Sequence, residues 1–257
     1  MPSHLRPDIN VFYSFARAID DIADTNLIEA NEKIKRLSGF EDAILGKDTS
    51  AQGYEKAHLM RISLQNTGIT PQHCTELIRA FKQDAIKLRY KNWQELIDYC
   101  QMSAAPVGRY LLDLHGESNE LYAASDALCI ALQVLNHLQD CKDDYISLNR
   151  VYLPQDWMSR YGLNVDCLEN PKSIPEFNSL KIQILDATNE LISLAKELPK
   201  QLANRRLGME TGVILNIAIA LERKLRRNDP LVETVKLSRV QFAYGCLSGA
   251  LRTILTR

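Results

Sequence analysis

"LQVLNHLQDCKDDY", residues 132–145, carries two patterns on one element. With Leu128 just upstream, Leu132, Leu135 and Leu138 recur every three to four residues, the period of a helix that buries one side. At about 100° per residue, Gln133, Asn136, Asp140 and Asp144 fall within about 80° of one another on that same helix. A polar stripe therefore runs opposite an apolar one. Asp143 points about 100° away from Asp144 and is expected in solvent, as is Lys142.

The same helical spacing of apolar residues continues along most of the chain, and strict alternation is hardly found, so the expected fold class is all-α. Breaks fall at 45–53, at Thr70 and Pro71, at 169–178 and at 226–230, where caps, glycines and prolines cluster. Helices are expected near 8–24, 27–45, 54–66, 71–88, 92–114, 118–146, 178–198, 200–227 and 239–255. The breaks are too short for linkers, and 257 residues suit a single domain over 1–257.

"SFARAIDDIAD", residues 14–24, supplies a second polar stripe. Tyr13, Arg17, Asp20 and Asp24 lie within about 60° of one another, with Asp21 at the margin. Like charges four apart on a helix repel, so an exposed face with an Arg17–Asp21 ion pair is one reading of this stripe taken alone. Two helices that each bear an aspartate pair at i, i+4 favour another. Carboxylates facing each other across a helical cavity need cations between them, and hard oxygen ligands suit Mg²⁺, which keeps waters and is often completed by substrate phosphates. Arg17, Arg109 and Arg150 then have two open roles: a clamp on a diphosphate, or partners that neutralise the aspartates.

A third segment, "YCQMSAAPVGRYLLDLHG" (99–116), interrupts a helical pattern with Pro106 and Gly108, and such a kink frees backbone carbonyls to line a cavity. Tyr99 and Ser103 sit four apart ahead of it. A tyrosine on an apolar helix is equally a core residue.

Composition narrows the function classes. Thirty-one basic residues face 32 acidic ones, leaving no global field to recruit nucleic acid. The six cysteines show no metal-ligand spacing and read as packing residues in a reducing, cytoplasmic compartment. The longest apolar run, 212–221, is too short to span a bilayer. The stretch 240–257 is amphipathic, with Gly245 and Gly249 four apart, and suits either helix packing or docking on a membrane surface.

Taken together, the three segments resemble the squalene and phytoene synthase family, whose members have an all-α isoprenoid-synthase fold around a central cavity. "YSFARAIDDIAD" is similar to its first aspartate-rich motif, YxxxRxxDDxxD, and "NHLQDCKDDYISLNRVYLPQDW" (136–157) to its second, with Arg150, Tyr152 and Pro154 following. "YCQMSAAPVG" aligns with the segment that carries a functional tyrosine, here Tyr99. Within the family, "SAAPVGRYLLDLHGE" and "NHLQDCKDDYISLNRVYLP" most resemble bacterial hydroxysqualene synthases of the hopanoid pathway, whereas the sister enzymes more often have valine where Ser103 stands.

The resemblance implies a site in which Asp20, Asp21, Asp24, Asp140 and Asp144 hold Mg²⁺, and Tyr13, Arg17, Ser103, Arg109, Gln133, Asn136, Arg150 and Tyr152 bind substrate. It implies ionisation of presqualene diphosphate, rearrangement of the cation beside Phe12, Tyr13 and Tyr99, and capture by water. Presqualene diphosphate, squalene or phytoene synthesis is the alternative within the family, and a non-catalytic assembly factor the alternative outside it. Pathway enzymes are implied partners. Family members usually begin with a further segment before the Leu5–Arg6–Pro7 sequence, and its absence here implies either a truncated start or a more open pocket.

Overall fold

The computed structural model describes residues 2–48, 52–172 and 174–237. Helix α1 (Arg6–Asp24) starts with Pro7 in its first turn, where a missing N–H costs nothing, and buries Phe12, Phe15, Ile19 and Ala23 along one side. It packs with α2 (Ala30–Ile44), α3 (Glu55–Thr67) and α4 (Gln72–Asp84) around one apolar core. Gly68, at φ +73°, ends α3 in the left-handed conformation that a side chain resists.

After α4, β1 (Arg89–Tyr90) leads into α5 (Trp93–Ser103), capped by the Asn92 side chain, which accepts from the Glu95 N–H at 2.9 Å. Then come α6 (Ala105–Leu114), α7 (Tyr122–Gln139), α8 (Cys141–Leu148), β2 (Val151–Pro154), α9 (Gln155–Arg160), α10 (Pro175–Ala195), α11 (Leu198–Gln201) and α12 (Arg205–Arg227). Helix α7 packs against α5, α6, α10 and α12 and forms the spine of a second apolar core. The two strands pair in parallel, a small sheet that the sequence pattern did not announce.

Two expected helices are each divided. The 92–114 element breaks at Ala104, because the Pro106 ring cannot accept the carbonyl of the preceding turn and lacks an N–H. The 118–146 element breaks at Asp140 (φ −102°, ψ 9°), with neither proline nor glycine there. Tertiary contacts account for this kink: it buries Cys141 and lets Lys142 donate to the Leu231 carbonyl at 2.9 Å. Lys142 is thus half-buried rather than on the surface, while Asp143 is exposed as expected. The 239–255 helix and the amphipathic 240–257 stretch lie outside the described residues.

Gly108 sets the approach of α6 to α7. A Cβ there would overlap Ser125 Oγ and come within 2.7 Å of Cys129 Sγ. Gly108→Ala is therefore expected to cost about 1–3 kcal/mol by overpacking, read as a lower urea midpoint. Among the described residues, one stretch, Asn119–Gln139, is long and apolar enough to cross a membrane, and half of it is buried inside the protein.

Candidate active site

Between the two cores lies a cavity of about 160 Å³. Helix α1 contributes Asp20 and Asp24 from its last turns, α4 Phe81 and Asp84, and α5 Tyr99. The kinked α7–α8 pair contributes Gln133, Asn136, His137, Asp140 and Asp144, and Arg150 and Tyr152 arrive just before and on β2. Both aspartate pairs thus face one space although more than 100 residues separate them.

The carboxylates there lack full compensation. Burial first, and then the Asp24 charge, raise the Asp20 carboxyl above the ordinary carboxylate range, while Arg17 pulls the other way. Asp140 is raised by burial and then by Asp144. Among the described residues, no three His, Cys, Asp or Glu side chains converge tightly enough to hold a metal by themselves. Two carboxylate pairs lining one cavity without a closed cage fit a hard divalent cation that keeps waters and takes oxygens from a phosphate, as Mg²⁺ does.

Arg150 is the structural tie of the site. Almost fully buried, it donates from Nη1 to Asp24 Oδ1 at 2.5 Å and from Nη2 to the Ala23 carbonyl at 2.7 Å, fastening the end of α1 beside β2. Asn149, at φ 52°, ends α8 in the left-handed region that asparagine tolerates and turns the chain so that Arg150 points inward.

On the other wall, Tyr99 Oη donates to Asp84 Oδ2 at 2.6 Å and Tyr152 Oη to Oδ1 at 3.1 Å. The His137 ring stacks on Tyr152 at 3.6 Å, and its Nδ1 lies 3.9 Å from Asp144 Oδ2. Burial lowers the imidazole below its usual value, with Asp144 opposing. Asp84 and His137 were not among the residues expected from sequence. A signal existed for Asp84: it continues the buried Leu77, Ile78 and Ala80 side of α4, where a lone carboxylate demands partners. His137 follows Asn136 on an otherwise apolar stretch and carries no comparable mark.

Six expected site residues are not brought to this cavity. Tyr13 is 68% exposed, and Phe12 is stacked on Tyr110 at 4.0 Å within the first core. Arg17 sits outside and pairs with Asp20 at 2.6 Å and with Asp21 at 2.8 Å, so Asp21 is an exposed ion-pair partner. Arg109 is engaged elsewhere, bidentate on Asp126 at 2.9 and 2.6 Å and over the Tyr122 ring, because α6 turns it toward α7 rather than toward α1. The Ser103 hydroxyl, one turn past Tyr99, is buried, finds no partner among the described residues and does not line the cavity.

Comparison with known proteins places these features in context. A profile described as squalene/phytoene synthase matches residues 1–241. The chain is 41% identical to a hydroxysqualene synthase of Rhodopseudomonas palustris, covering 96% of this chain and 84% of that protein. It is 37% identical to one of Zymomonas mobilis, covering 92% and 79%. The crystal structure of a squalene synthase from Alicyclobacillus acidocaldarius superposes with a TM-score of 0.78 at 26% identity, over 88% of this chain and 85% of that one. A dehydrosqualene synthase in complex with ligand shares the fold at a TM-score of 0.79 and 18% identity, over 100% of this chain and 89% of that one.

Proposed function

The chain belongs to the squalene/phytoene synthase family, and from that premise we propose that it ionises presqualene diphosphate and captures the cation with water to give hydroxysqualene and diphosphate. The observation that carries this reading is that both aspartate pairs line one cavity, read beside the hydroxysqualene synthase relatives. The chain works as one domain in this reading, since the site draws on helices from both cores.

Asp20, Asp24, Asp140 and Asp144, with Asn136 and Gln133 beside them, would hold Mg²⁺ and the diphosphate it accompanies. When bound there, Mg²⁺ supplies charge stabilisation to the departing anion. Arg150 fixes Asp24 in the wall and adds a buried positive charge near that anion. Tyr99 and Tyr152 are both buried and bring aromatic faces to the cavity, where ring quadrupoles favour a developing cation. The same apolar rings exclude bulk water, so capture is confined to a water that the protein holds. A hydrocarbon substrate and product favour work at the cytoplasmic face of a membrane, beside the enzymes that make and consume them.

Purified protein given presqualene diphosphate and Mg²⁺, without NADPH, is expected to release diphosphate and form an alcohol, and a chelator is expected to stop both. Consumption of farnesyl or geranylgeranyl diphosphate alone would instead assign head-to-head synthesis, which the same family includes.

A further inference from the structure

The same cavity holds a hydrogen-bond arrangement with a chemical consequence. Asp84 is 3% exposed, sits at the last residue of α4, and lines the cavity with Tyr99 and Tyr152. An ionised carboxylate has no proton to give, so both phenols must spend their only O–H on it. Each phenol oxygen is left with lone pairs alone to offer the cavity. The two rings are held together, stacked at 5.5 Å between centroids, with Tyr152 sandwiched further by His137 and Tyr90.

The geometry points to Asp84 as a positioning residue that turns Tyr99 and Tyr152 into a paired acceptor for the water that captures the cation, an assignment resting on the water-capture reading above. A water between the two phenol oxygens donates to both and keeps a lone pair free, facing away from them. That lone pair forms the new C–O bond at the cationic carbon. One O–H bond of the water breaks, its proton passing to Tyr99 Oη as the phenol's own proton passes to Asp84 Oδ2. The products are the alcohol, an unchanged Tyr99 and a neutral Asp84 acid, which returns its proton to solvent when the product leaves.

Two features support this. Burial raises the Asp84 carboxyl to about 7, against the opposing pull of Arg150 and of both phenol hydrogen bonds, so the group can be an acceptor above neutral pH and still hold a proton after the step. The carboxylate also makes no salt bridge among the described residues, although Arg150 lines the same cavity, so the phenols are its direct partners.

The test is Asp84→Asn in the full chain, assayed slightly above neutral pH with presqualene diphosphate and Mg²⁺ in heavy-oxygen water. The amide nitrogen donates where the carboxylate accepted, so one phenol must accept from it and swing its O–H into the cavity. Alcohol formed per diphosphate released is expected to fall about tenfold, the cation being lost instead to alkenes by proton loss. A purely structural residue would lower both products in proportion, so an unchanged ratio overturns the assignment. If Asp84→Asn fails to fold by circular dichroism, Tyr152→Phe keeps the stacked ring and removes one acceptor, and the same fall or an unchanged ratio decides. Wild-type protein that releases diphosphate but forms no labelled alcohol overturns the functional reading itself, and the assignment with it.

Discussion

Asp140→Asn lowers diphosphate release by about 10²–10³-fold while the fold stays intact: that is the expected result, on the scale seen when one preorganised electrostatic group is removed from a site that stabilises a leaving anion. Charge without compensation sets this expectation. Asp140 and Asp20 are both raised by burial and then by a neighbouring carboxylate. A carboxyl raised above its unfolded value disfavours the folded state as pH climbs from that unfolded value through the folded one, and the penalty persists at neutral pH. Replacing either aspartate with asparagine removes that penalty. The metal-free variants are therefore expected to melt at or slightly above the wild-type temperature.

Stability and turnover thus move in opposite directions, the signature of a group kept for function. A second readout separates loss of the cation from damage to the site. Mg²⁺ with inorganic diphosphate should raise the wild-type melt by mass action and leave the Asp140→Asn melt nearly unmoved. A variant that keeps full turnover, or that responds to Mg²⁺ as the wild type does, would remove Asp140 from the site.

Arg150→Met is expected to act in the other direction on stability, costing about 3 kcal/mol, the low end for removal of one partner from a buried pair. Methionine has similar reach and keeps apolar packing, so the change isolates the guanidinium. Its loss leaves the Ala23 carbonyl with Lys33 Nζ at 2.8 Å and leaves Asp24 without its 2.5 Å donor. The low end applies because the Asp24 side chain is 45% exposed and water can hydrate it. Turnover should fall as well, since Arg150 ties the end of α1 to the start of β2 across 126 positions. Urea unfolding beside diphosphate release gives both numbers. Unchanged stability would mean that the Asp24 tie contributes nothing, in line with exposed pairs.

Much of the site was legible because it is written in helical periodicity. Asp20 and Asp24, and Asn136 with Gln133, sit on single helices, where a spacing of three or four residues fixes a common direction. Asp140 and Asp144 were projected on one continuous helix; the kink at Asp140 separates α7 from α8, but the Asp144 N–H still donates to the Asp140 carbonyl at 2.8 Å, and both residues line the cavity. Arg109 lies away from the cavity because its charge has two classes of partner, and α6 brought Asp126 into reach.

What the sequence by itself determined is the all-helical class, the two acidic stripes and the apolar sides that bury them, because these depend on neighbours within one or two turns. What the tertiary structure alone decided is which polar groups share a space. Asp84 meets Tyr99 and Tyr152, Arg150 meets Asp24, and Arg17 stays outside with Asp21. Hydrogen bonds and ion pairs of that kind act over a few ångströms, so a residue's role follows from the partner that packing brings within reach, and spacing along one helix carries no record of it.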